Sequence, residues 1–160
     1  MKKLVIYYSY DGNTRFIAET IADAIGADIA EIKTKRTTNA SGVMMFAWGV
    51  RQLISQSEPK LLPLDKNPAD YDLIILGTPV WTFTFAPQMR TFLKHHTMSG
   101  KNIALFCCHG GQPGKTLDNM KVLLNGNHMI GENDFLEPSR HEKNNNREKA
   151  INWAKKIVED

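Results

Sequence analysis

The feature that most constrains this chain is the passage Leu4-Val5-Ile6-Tyr7-Tyr8-Ser9-Tyr10-Asp11-Gly12-Asn13-Thr14, where an apolar run breaks into a short polar loop and a helical pattern begins at once. Ile17, Ala18, Ile21, Ala22 and Ile25 recur at helical spacing, so the passage reads as strand, tight turn, helix. Gly12 lets the backbone turn sharply and approach a ligand closely. Ser9, Asn13 and Thr14 carry donor groups, and the first amides of a helix lack internal partners at the positive end of its dipole. An anion such as a phosphate would satisfy them. The plainer reading is a buried strand followed by a capped helix, with Asn13 or Thr14 as the cap. The loop is neither a Walker A sequence nor GxGxxG.

The rest of the chain keeps alternating. Ala27–Ile32 reads as a second strand and 33–41 as a polar loop. Gly42–Gln56 reads as a helix with Phe46, Val50, Leu53 and Ile54 on one stripe; Met44, Met45 and Trp48 lie partly off it, where they would serve packing, a partner surface or a pocket wall. Pro59–Pro68 is a connector in which prolines limit helix. Asp72–Gly77 is a continuous apolar run, suited to a strand covered on both faces in a parallel sheet. Thr78–Pro87, with two prolines and three aromatics, reads as a shaped loop. Pro87 opens a helix carrying Met89, Phe92 and Leu93 on one face. Ile103–Cys108 reads as a strand, His109–Gly114 as a loop and Lys115–Leu124 as a helix. His128–Leu136 contains a last strand, and Asn144–Val158 is a helix with Ile151, Ala154 and Val158 inward. Strand and helix alternate five times without linker or repeat. That predicts one domain over residues 1–160, an open parallel sheet with helices on both faces.

Bulk properties narrow the function. With 160 residues, 42% hydrophobic and 23% charged, the chain is long enough for a real core and is not of disordered composition. No apolar run approaches the ~18–20 residues that span a bilayer. The N-terminal run is too short for a signal peptide, so a cytoplasmic protein with no membrane contact is expected. The net charge of +3 is spread along the chain, which disfavours a nucleic-acid partner. A bridge between adjacent Cys107 and Cys108 would strain the backbone and close no useful loop; two buried thiols are expected, with a redox pair as the alternative. No zinc-like ligand set lies near them.

The first loop resembles the phosphate loop of flavodoxins, which usually reads Thr/Ser-x-Thr-Gly-x-Thr: Ser9, Gly12, Asn13 and Thr14 match. Asp11 departs where a hydroxyl is usual; its carboxylate would weaken phosphate binding unless it points away or meets a cation such as Arg15. Gly77-Thr78-Pro79-Val80-Trp81 and the following Ala86–Leu93 resemble the first ring-binding region of a flavodoxin-like subfamily, and Gly110-Gly111 with Pro113-Gly114-Lys115 resembles the second. The resemblance runs over most of the chain. It implies a three-layer α/β/α sandwich around a five-stranded parallel sheet of order 2-1-3-4-5, with ligand at the carboxyl ends of the strands. It also implies FMN as cofactor, with Ser9, Tyr10, Asp11, Gly12, Asn13 and Thr14 around the phosphate. Thr78, Pro79, Val80, Trp81, Thr82 and Phe83, then His109, Gly110 and Gly111, would hold the ring. Trp81 would stack on the ring or else belong to the core. His109, which replaces a small polar residue often seen there, would bond the flavin or a partner, or else sit exposed among glycines.

The function implied is that of an electron carrier working with a redox partner protein, either a reductase or an acceptor, as a monomer or weak dimer. The cofactor would carry the chemistry, since no Ser-His-Asp set or paired catalytic carboxylates occur. A second reading is an NAD(P)H-dependent FMN or quinone oxidoreductase on the same scaffold, with the Gly42–Gln56 helix as a substrate wall; a dinucleotide fingerprint is missing. A third, a receiver-like binding module, needs an acidic cluster after strand 1 and an Asp after strand 3. Asp11 stands alone, and Gly77-Thr78-Pro79 supplies no such Asp.

Overall fold

Leu73, Ile74, Ile75 and Leu76 are four consecutive apolar residues whose side chains point alternately to opposite faces, so both faces of their strand must be covered. All four are fully buried at the centre of the sheet. The structure, a computed structural model, describes residues 1–35 and 58–159. The helix read at Gly42–Gln56 lies outside the described residues, with most of the loop before it.

The elements run β1 (Lys3–Tyr7), α1 (Asn13–Ile25), β2 (Asp28–Glu31), β3 (Leu73–Trp81), β4 (Thr84–Phe85), α2 (Pro87–His95), β5 (Asn102–His109), α3 (Thr116–Leu123), β6 (His128–Leu136) and α4 (Lys143–Glu159). The strands lie in the order β2-β1-β3-β5-β6, all parallel, while β4 folds back antiparallel on β3. Counting parallel strands alone, this is the expected 2-1-3-4-5 sheet.

Alternation along the strands sorts the core into two layers. Leu4, Ile6, Ile74, Leu76, Ile103 and Leu105 face Met89 and Phe92 of α2 and Met120 of α3. Val5, Leu73, Ile75, Ala104 and Phe106 face Ile17 and Ile21 of α1 and Ala150, Ala154 and Ile157 of α4. Burying each large side chain contributes roughly 1.5–3 kcal/mol, so these layers dominate the stability. The inward face of α4 differs from expectation. Ala150, Ala154 and Ile157 are buried, whereas Ile151 and Val158 are only half-buried. Small alanines let α4 approach closely, and Ile151 turns to the groove beside Phe16.

A second difference is at 78–85, expected as a loop. Here β3 continues to Trp81, with Thr78 and Pro79 opposite Cys107 and Cys108. Pro79 argues against a strand because it has no N–H, but β1 ends beside Gly77. At Pro79 no described strand pairs with β3 on the β1 side, so a missing donor is tolerated there. Thr82 and Phe83 then reverse the chain, and Val80 and Trp81 pair with Phe85 and Thr84.

Gly77 faces Phe106 across the β3–β5 ladder, and a Cβ there would lie 2.1 Å from Phe106 Cζ. Gly77→Ala should therefore destabilise the fold by about 1–3 kcal/mol through overpacking. Urea denaturation measures it, and the cost should shrink in a Phe106→Leu background; an equal cost in both backgrounds would place the strain elsewhere.

Candidate functional site

Parallel pairing puts the carboxyl ends of β1, β3, β5 and β6 on one edge, so the segments after them converge. At the first, Gly12 takes φ 93, a left-handed conformation that suits glycine, and stands as the N-cap of α1. The cap expected at Asn13 or Thr14 is thus at Gly12, without a side-chain hydrogen bond. The loop folds on itself. The Gly12 amide donates to Ser9 Oγ at 3.2 Å, and the Asn13 amide donates to Asp11 Oδ1 at 3.1 Å. Asn13 Nδ2 donates to Asp11 Oδ2 at 2.8 Å. The Asp11 side chain therefore closes the turn. Arg15 does not meet it but pairs with Glu31 of β2. The first bond within α1 runs from Phe16 N to Gly12 O, leaving the Thr14 and Arg15 amides without helical acceptors. Thr14 is fully buried, and its hydroxyl has no hydrogen-bond partner of ordinary geometry, although it adjoins the Cys108 thiol.

At the second segment Thr78 is a brace. Its buried hydroxyl accepts from the Ala86 amide at 3.1 Å and donates to Pro79 O at 3.0 Å. Pro79 is buried and Val80 half-buried at the root of the hairpin. Trp81 is half-buried at the end of β3, edge-on to Tyr8 at 5.9 Å and to Tyr10 at 5.8 Å. Such pairs are worth about 0.5–1.5 kcal/mol each beyond burial. Trp81 also packs against the core layer beneath α2, so it joins the first two loops and extends the core as well. Thr82 and Phe83 form the hairpin tip with φ 50 and 62, and Phe83 is 70% exposed. Side-chain-bearing residues rarely adopt such angles, β-branched threonine least of all. The tip is held by contact with Gly114, where a Cβ would stand 2.9 Å from Phe83 O, and by Asn119 Nδ2 donating to Thr84 Oγ1.

The third segment begins at His109, which is not exposed. It ends β5 as a buried residue whose Nε2 lies 2.9 Å from Asp134 Oδ2 of β6, while Nδ1 is buried without a partner. Gly110 and Gly111 follow on the surface. The three loops thus meet in sequence: Tyr10 touches Trp81, and Phe83 touches Gly114.

A fourth segment follows β6 and carries a residue that sequence reasoning did not find. Ser139 donates from its amide at 2.9 Å and from its hydroxyl at 2.7 Å to Asn13 Oδ1. It braces the first loop from 126 residues away. A lone serine before a helix carries no signal of such a contact.

The donor set suits a phosphate ester attached to a flat ring. The Thr14 and Arg15 amides have no helical acceptor at one end of the edge, and an aromatic hairpin and a glycine pair lie at the other. Among the described residues no cluster of His, Cys, Asp and Glu could hold a metal, and no helix is long and apolar enough to cross a membrane.

Comparison with known proteins agrees with the geometry. A family model described as Flavodoxin matches residues 2–149. A protein of Archaeoglobus fulgidus with no assigned function is 32% identical over 105 residues, which cover 66% of this chain; the match spans 64% of that protein's length. A crystallised flavoprotein of Lactobacillus acidophilus, in complex with FMN, superposes with TM-score 0.70 at 27% identity, covering 89% of this chain and 97% of its own. A WrbA-like flavodoxin of Agrobacterium tumefaciens shares the fold, with TM-score 0.64 at 18% identity over 99% of this chain and 98% of its own.

The cysteines behind the site are both free and buried. Burial pushes the Cys107 thiol up to about 12 and the Cys108 thiol well above its usual value. A raised folded value means that the thiols favour folding below about 9, the ordinary thiol value, and that this contribution fades as pH climbs toward 12. At pH 8 iodoacetamide should label neither thiol in the native protein and both after denaturation. Rapid native labelling would restore the redox-pair alternative.

Proposed function

Because this chain belongs to the flavodoxin family, we propose that it binds FMN non-covalently and carries electrons for a redox partner protein. The observation that carries this reading is the convergence of three loops of different chemistry at one sheet edge, joined through Tyr10–Trp81 and Phe83–Gly114. The FMN-bound flavoprotein of Lactobacillus acidophilus supports the choice of cofactor.

On this reading Ser9, Gly12, Asn13 and Thr14, with the Thr14 and Arg15 amides, hold the phosphate. The hairpin from Thr78 to Phe83 and the segment from His109 to Gly111 hold the ring. When bound, FMN supplies acceptance and release of one or two electrons. The chain orients the ring, excludes water from it with the Tyr8–Tyr10–Trp81 cluster, and presents backbone groups at its edge. Exposed Phe83 at the rim is available to a redox partner.

Titration of apoprotein, followed by flavin fluorescence, should give micromolar or tighter binding of FMN, and riboflavin should bind at least roughly tenfold more weakly. That ratio corresponds to the hydrogen bonds a charged phosphate makes with backbone amides. Equal affinities would refute the role of the first loop.

The carrier reading is separated from the oxidoreductase reading by NADPH oxidation. Loaded protein alone should oxidise NADPH negligibly, but should be reduced when a flavoprotein reductase is added. Rapid NADPH-dependent quinone turnover by the purified protein would make it an oxidoreductase instead.

A further inference from the structure

The first amides of a helix have no internal partner. At α1 one of them, that of Asn13, is closed on a negative charge of the loop's own. Both oxygens of the Asp11 carboxylate are engaged by Asn13, one by its amide and one by its side-chain Nδ2. Asn13 is itself held from the far side, because its Oδ1 accepts two hydrogen bonds from Ser139. The Asn13 side chain is buried, so this bridge from Ser139 through Asn13 to Asp11 is not a loose surface contact. Arg15, the nearest cation in sequence, is turned to Glu31 and does not neutralise the carboxylate.

From this bridge we propose that Asp11 is a built-in competitor for the cofactor's phosphate and Ser139 the positioning residue that holds Asn13 ready for either anion. The proposal rests on the reading of this loop as the FMN phosphate site. The carboxylate sits where an anionic ligand would meet the Asn13 amide, at the first turn of α1. A phosphomonoester must displace it from that amide and then remain beside its charge. Two anions cannot share one amide, and a carboxylate a few ångströms from a phosphate opposes it even in a solvent-exposed loop. The Thr14 and Arg15 amides, which have no helical acceptors, remain for the phosphate, so the site is weakened rather than abolished. The consequence is a cofactor held less tightly than the rest of the site allows, and therefore exchangeable.

Three variants test this against FMN and riboflavin in parallel. Asp11→Asn keeps the shape and one acceptor but removes the charge, and Asp11→Thr removes the carboxylate and restores a hydroxyl. Both should bind FMN about tenfold more tightly than the natural chain, with riboflavin affinity unchanged. Ser139→Ala should weaken FMN several-fold and leave riboflavin unchanged, which a general loss of stability would not do. FMN binding no tighter in either Asp11 variant, or riboflavin tightening equally, overturns the competition while leaving FMN binding intact. Failure of both flavins to bind any of these proteins overturns the parent reading and the competition with it. Should a variant not fold, the Asn13 amide resonance of the natural chain serves instead. It should move on addition of FMN and stay unchanged with riboflavin; an unmoved resonance in an FMN-saturated sample overturns the proposal.

Discussion

Everything in this molecule hangs on the pairing of β3 with two parallel neighbours at once. From Leu73 to Gly77 it lies between β1 and β5, and its side chains enter both core layers. Parallel pairing on both sides aligns the strand directions. Once the directions agree, the ends of β1, β3 and β5 must lie on one edge, and the loops that leave them must face each other. Gly77 marks the change of regime. Up to that residue β3 is a central strand; past it no described strand pairs with β3 on the β1 side, which allows Pro79 and the hairpin that carries Trp81.

The parts legible in the sequence are those governed by local periodicity. The apolar runs at Leu4–Tyr8, Asp72–Gly77 and Ile103–Cys108 have the length and the bounding turn residues of strands in a covered sheet, and Ile17 to Ile25 recur as one face of a helix. The positions of the three loops follow from that alternation. The end of β3 is hidden because Pro79 is a local argument against a strand, and only the termination of β1 removes the objection. His109 has the local surroundings of a loop residue among glycines; its burial depends on Asp134, which reaches it from a neighbouring strand 25 residues on. Ser139 is out of reach for the same reason, since its contact with Asn13 exists only after the sheet has formed.

The two rims of the site break local rules in opposite senses. On the ring side, Thr82 and Phe83 hold positive φ angles that cost of order 1–3 kcal/mol each, and the hairpin does not relax because Gly114 and Asn119 grip it. At the first loop, Asp11 takes up the amide and the side chain of Asn13, while the Thr14 and Arg15 amides keep no helical acceptor. Locally inconsistent choices that survive in a folded chain concentrate where structure is shaped for something other than stability. A strained tip is preorganised for what it meets, whereas an amide already held by a carboxylate must first be released. On the proposed reading, a ligand that bridges both rims would gain its rigid platform from the aromatic side and would have to release the Asn13 amide at the other. The first loop reaches the end of β3 through Tyr10 and Trp81, but Asp11 is exposed and its hydrogen bonds stay within its own turn, so on the proposed reading a substitution there would change the phosphate end without disturbing the fold that β3 holds together.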